Sequence, residues 1–135
     1  MTEKKRLAIV VSENSLDKAM MPMILGTTGA SLDAEVHLFF TFWGLFLLKK
    51  DYKPKLKGMM APFTGMMVKQ MKSKNIPGYS ELLDQARELG VKLYACSTSM
   101  EMMGVKKEDL IDGVEVLGAT AFLKIAFESD VTLFI

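Results

Sequence analysis

The stretch "LAIVVSENSLDKA", residues 7–19, sets the reading of the whole chain. Leu7 to Val11 is a continuous apolar, largely β-branched run, the pattern of a strand covered on both faces. Ser12 to Ser15 breaks it with polar residues, and Ser15 is placed to cap a helix running to about Ala30. Gly26 and Gly29 weaken the end of that helix. A doubly covered strand that hands over at once to a helix is the first half of a βαβ unit, so the next strand should run parallel to it.

The pattern repeats along the chain. Val36 to Phe40 reads as a second strand, and Thr41 to Leu48 is apolar at nearly every position, so helix and strand stay open there. Lys49 to Gly78 is the least regular part, with Pro54, Pro62 and Pro77, paired methionines, and a cluster of lysines from Lys49 to Lys57. Phe63 to Lys72 can form a helix, and Pro77-Gly78 marks a turn. Ser80 is placed to cap a helix with Leu82, Leu83, Ala86 and Leu89 on one face and Gly90 as its stop. Val91 to Ala95 is a third strand. Thr98-Ser99-Met100-Glu101 has the capping-box spacing, which predicts a helix from Thr98. Glu108 to Ile111 suggests a short helix, Val114 to Leu117 a fourth strand, Ala119 to Phe127 a helix, and Asp130 to Ile135 a fifth strand.

The chain has 135 residues, of which half are hydrophobic. That predicts one domain, 1–135, burying roughly two-thirds of its extended surface. Lys plus Arg number 17 and Asp plus Glu 16, a balance that argues against a dedicated nucleic-acid binder. A lone cysteine cannot form an internal disulfide and suits a reducing cytoplasm. No targeting segment is expected, because the apolar run after the charged start is too short. The greasiest stretch, Val36 to Leu48, has 13 residues, whereas a membrane span needs about 20. It reads as buried in protein or in a subunit interface.

Cys96, at the end of the third strand, carries two readings. Free cysteine is often a small buried hydrophobe. Yet ligands of open α/β sheets bind outside the carboxyl ends of strands, and a helix opening there favours thiolate over thiol. His37 lies inside a strand and reads as a structural histidine. With no second histidine, a histidine-rich metal site is excluded. Glu13 and Asp17 are explained as well by solvation and capping as by chemistry. The 12 methionines read as core and interface filler, and the lysine cluster as a solvated face or a docking surface for an acidic partner. The turn after the first strand fits neither the Walker nor the Rossmann glycine pattern, so no nucleotide or flavin cofactor is expected.

Three segments, "KLYACSTS" (92–99), "FFTFWGL" (39–45) and "GVKKEDLIDGVEVLGA" (104–119), together resemble the DsrE/DsrF-like family. That resemblance implies a small flavodoxin-like α/β protein that forms homo-oligomers and works in sulfur relay. Cys96 would be the acceptor of sulfane sulfur, passing it as a persulfide to a TusA-like carrier or a small thiol. Cys96 is expected in a pocket shaped by Glu13, Thr41 and Trp43, with the N–H groups of Ser97, Thr98 and Ser99 steadying the sulfur. The competing reading is a binding or scaffold subunit, with an apolar pocket under "FFTFWGL" and an incidental cysteine. The expected fold is a three-layer sandwich of five mostly parallel strands in the order 2-1-3-4-5, with first and last strands too apolar for solvent on either face.

Overall fold

Strand-forming runs alternate with helices throughout residues 4–135, which the computed structural model describes. The strands are β1 (Arg6–Val11), β2 (Glu35–Phe40), β3 (Lys92–Cys96), β4 (Val114–Leu117) and β5 (Val131–Phe134). The α-helices are α1 (Leu16–Ser31), α2 (Thr64–Ser73), α3 (Tyr79–Glu88), α4 (Ser97–Met103) and α5 (Ala119–Phe127). Every strand pair is parallel, as the alternation requires.

The strand order is β4-β3-β2-β1-β5, not 2-1-3-4-5. The central place goes to β2, the strand able to fill it: Val36 to Phe40 are all buried, so side chains on both faces need cover. β5 lies at an edge. Contrary to expectation two of its apolar residues are open to solvent, Val131 and Phe134, the latter 76% exposed, while Leu133 packs against the core.

This order fixes where the helices lie. Parallel crossovers are right-handed, so three successive steps in one direction, β1 to β4, put α1, α3 and α4 on the same face. Only the return step from β4 to β5 crosses the other face, and it carries α5 alone. The core divides accordingly. Ile9, Val11, Leu38, Phe40 and Ala95 pack with α1 and α3 residues such as Met23 and Ala86. Ala8, Phe39, Tyr94 and Cys96 pack with Phe122 of α5. One face is thick, the other thin.

Gly26 and Gly29 turn out to serve packing. A Cβ on Gly29 would come within 3.2 Å of both Leu7 and Val36, so the glycine lets α1 lie close on the sheet. The ambiguous segment resolves as a 3-10 helix, Phe42–Leu48, which buries Leu45, Leu47 and Leu48 and leaves Phe42 and Trp43 exposed. A second 3-10 turn, Gly58–Phe63, and α2 have no buried residue. Among the described residues, no helix is long and apolar enough to cross a membrane.

Two helix starts differ from expectation. α3 is capped by Gly78, two residues before Ser80. α4 begins at Ser97 with Cys96 as its N-cap, and the capping box on Thr98 does not form. β3 stays paired up to Cys96, which faces Leu117 of β4, so the chain turns directly from ladder into helix. The Ser99 hydroxyl is used elsewhere, accepting a 2.9 Å hydrogen bond from the Phe42 N–H.

Candidate site at the carboxyl ends of the strands

Adjacent strands β3 and β4 send their chains to opposite faces, β3 into α4 and β4 into α5. In open α/β sheets such a divergence opens a crevice at the carboxyl edge, the usual place for a binding site. Cys96 and Leu117 are the last paired residues on its two sides. Gly118, the N-cap of α5, faces Ser97 so closely that a Cβ there would lie 3.5 Å from the Ser97 hydroxyl. Two helices therefore open beside the cysteine.

Cys96 projects to the thin face. It is 8% exposed, packed among Ala8, Phe39, Tyr94 and Phe122, and makes no capping hydrogen bond to α4. Phe39 and Phe122 stack with ring centroids 4.4 Å apart, forming the apolar cover over this cluster. Ser97 and Thr98 are exposed at the start of α4, while Ser99 is buried.

The remaining expected site residues lie around the end of β1. Glu13 and Trp43 line a cavity of about 450 Å³ whose lining does not include Cys96. Glu13 is paired with Lys57 at 3.5 Å and Lys18 at 3.9 Å. Thr41 donates its N–H to the Val11 carbonyl at 2.9 Å, anchoring the 3-10 helix on β1. The expected residues thus fall into two groups at one edge of the sheet, joined by the bond between Ser99 and Phe42, next to Trp43.

The thin face also holds His37, the histidine expected to be structural. His37 is buried, stacks on Tyr94 and hydrogen-bonds its hydroxyl through Nδ1 at 2.7 Å. Burial raises the Tyr94 pKa, so its hydroxyl keeps its proton, and the His37 tautomer sets which partner donates in this bond. The other ring nitrogen, Nε2, lies 3.4 Å from Glu35 without a good hydrogen bond. Glu35 also accepts a bond from Arg6, the main cause of its lowered pKa. His37 is therefore only half satisfied. Tyr94 and Arg6 come from the strands on either side of β2, which a single strand's pattern cannot reveal, whereas Glu35 lies two residues from His37 on the same strand.

Burial, partly opposed by Glu35, pushes the His37 pKa below its ordinary value. The unfolded chain takes up a proton near pH 6.5 and the folded one resists. Stability should then be full above about pH 6.5 and fall as the pH drops through the folded value, with Glu35 adding loss at lower pH. Urea unfolding at pH 7.5 and 5.5 should show this loss in the wild type and a smaller one in His37→Gln. Equal losses would remove His37 from the account.

A family model described as "DsrE/DsrF/DrsH-like family" matches residues 3–63 and 56–134. The chain is 39% identical to the sulfur carrier protein DsrE2 of Allochromatium vinosum, covering 98% of this chain and 99% of that protein. It is 36% identical to the uncharacterized protein YrkE of Bacillus subtilis, each covered in full. Among solved structures, the ychN protein of E. coli superposes with a TM-score of 0.68 at 15% identity, over 97% of this chain and 99% of that one, a likeness of fold. With its parallel sheet and a family match spanning nearly its whole length, the chain belongs to the DsrE/DsrF/DrsH-like family.

Proposed function

We propose that this protein is a sulfur carrier that holds sulfane sulfur on Cys96 as a persulfide and passes it to a partner, a TusA-like carrier or a small thiol. The observation that carries the reading is the place of Cys96: the only cysteine of the chain, at the carboxyl edge where β3 and β4 diverge. The name of the Allochromatium relative supports the same chemistry.

The step balances without an external oxidant. The Cys96 thiolate attacks the sulfane sulfur of a donor; the Sγ–S bond forms, the donor's S–S bond breaks, and the donor residue leaves with the electron pair. In delivery, an acceptor thiolate attacks the outer sulfur and Cys96 leaves as thiolate. No second cysteine can form a disulfide with Cys96 inside the chain, so the cargo must go to another molecule. A reducing cytoplasm suits such a thiol. A homo-oligomer is part of the proposal, supported by Phe127 at 80% and Phe134 at 76% exposure on α5 and β5.

Mass spectrometry after incubation with polysulfide or thiosulfate tests it. The expected product is an adduct of about 32 Da, the mass of one sulfur atom, reversed by dithiothreitol and absent from Cys96→Ser. The second reading, a binding or scaffold subunit, is favoured by the apolar surroundings of the buried thiol. No adduct on folded protein under either donor would put it ahead.

A further inference from the structure

The cavity at the end of β1 has the chemistry of a binding site in its own right. Leu16, the first residue of α1, donates its N–H to the Lys55 carbonyl at 2.8 Å, which straps the Lys53–Lys57 segment across the opening of that 16-residue helix. Ser15 has the extended N-cap backbone, φ −69° and ψ 156°, yet its hydroxyl makes no capping bond. It makes no other hydrogen bond among the described residues, is only 8% exposed, and lines the cavity. A capping serine ordinarily accepts from the second or third N–H of its helix. Here the N–H groups of Asp17 and Lys18 go without that partner. The hydroxyl is thus left to face the cavity, and an uncapped helix start attracts anions.

The charges agree. Lys53, Lys55 and Lys57 line the cavity against one carboxylate, Glu13, which is already paired with Lys57 and Lys18. Lys53 and Lys55 form no ion pair among the described residues. Asp17, in the first turn of α1, is the opposing charge nearby. The far wall is aromatic: Trp43 stacks on Phe46 at 6.0 Å and Phe46 on Tyr52 at 6.4 Å. The Tyr52 hydroxyl accepts from the Asn14 amide at 2.8 Å, so its own proton is free to be donated. A volume of about 450 Å³ exceeds what an inorganic ion needs.

We infer that this cavity binds a small oxyanion with an aromatic or planar body, such as a phosphate or sulfonate ester. The oxygens meet the Ser15 hydroxyl and Lys53 and Lys55, and the ring lies against Trp43. The inference is independent of sulfur transfer on Cys96.

Trp43 is the only tryptophan, so its fluorescence reports on the site. Titration of the full chain with phenyl phosphate and with benzenesulfonate, followed by that fluorescence and by calorimetry, should show saturable one-site binding of either or both. Inorganic phosphate should bind at least ~10-fold more weakly, having no ring to stack. Ser15→Ala and the double variant Lys53→Gln/Lys55→Gln should each raise Kd at least ~5-fold, the loss of about one hydrogen bond or charge contact. The lysines are exposed, so the double variant carries the test even where Ser15→Ala folds poorly. Cys96→Ser should bind normally, which separates this site from the sulfur reading. Absence of saturable heat for both ring compounds, or unchanged Kd in the lysine variant, would overturn the site. Equal affinity for inorganic phosphate would overturn the aromatic part.

Discussion

Gly44→Ala should lower the melting temperature by on the order of 10 °C or more, a loss of about 3 kcal/mol for a chain of this size. Gly44 sits in the 3-10 helix over the end of β1, and a Cβ there would lie 2.2 Å from the Val11 carbonyl oxygen and 2.8 Å from its carbon. No real contact is that short, and the obstacle is strand backbone, which cannot turn aside. The 3-10 helix must therefore move, and it is tied on several sides. Thr41 donates to that same carbonyl, Ser99 accepts from Phe42, and the buried Tyr79 hydroxyl donates to the Leu47 carbonyl at 2.8 Å. Leu45, Leu47 and Leu48 would leave their places in the core together. Gly65→Ala is the matched control: it lies in α2, where an added Cβ meets nothing within 4 Å, and should be neutral or slightly stabilising. Calorimetry of the two variants decides. A Gly44→Ala melting point within about 2 °C of wild type would mean the segment can rearrange at little cost.

How much of this was legible in the sequence depends on whether a feature is local. β1 and α1 were readable because the Leu7–Val11 run and the Ser15 break lie within one short window. α5 was readable for the same reason, and its bounds, Ala119 to Phe127, match the expected ones. The strand order was not, because it depends on which strand must be buried on both faces, a comparison among strands far apart in sequence. β2 and β5 are both apolar runs. Only the fold reveals that β2 has cover on both faces and β5 has an edge. The site divides in the same way. That Cys96 ends a strand and precedes a helix is local, and it holds. Its separation from the cavity lined by Glu13 and Trp43 is not local. Alternation sends Ala95 to the thick face and Cys96 to the thin one, but the sequence does not say which face is thin. The Thr98 capping box failed because β3 stays paired up to Cys96 and the helix starts at Ser97, which puts Thr98 inside its first turn. Ser15 shows the converse: its cap position was legible, its missing bond was not.

The thin face makes a second large effect measurable, at the cysteine itself. Cys96 lies under α5, whose one buried residue, Phe122, stacks on Phe39 with rings 7° from parallel. A reagent coming from that face must displace this aromatic pair. Phe122→Ala removes the cover and should speed alkylation of Cys96 by iodoacetamide at least ~10-fold, because the barrier to opening falls with the lost packing of about 3 kcal/mol or more. The comparison belongs well below the melting temperature, with circular dichroism confirming that the sheet is intact. Phe122→Leu keeps most of the volume and should fall between the two. This ordering separates local opening from global unfolding: Gly44→Ala also destabilises, but it acts on the thick face, so at matched stability it should speed alkylation less than Phe122→Ala. If the two variants are alkylated equally fast at matched stability, the thiol is reached only through unfolding. If Phe122→Ala reacts no faster than wild type, α5 is not the gate, and the route to Cys96 runs along the crevice between Ser97 and Gly118. For a sulfur carrier the distinction has a functional meaning. Under the proposed function, a persulfide held under α5 would be shielded from stray thiols until a partner shifted α5.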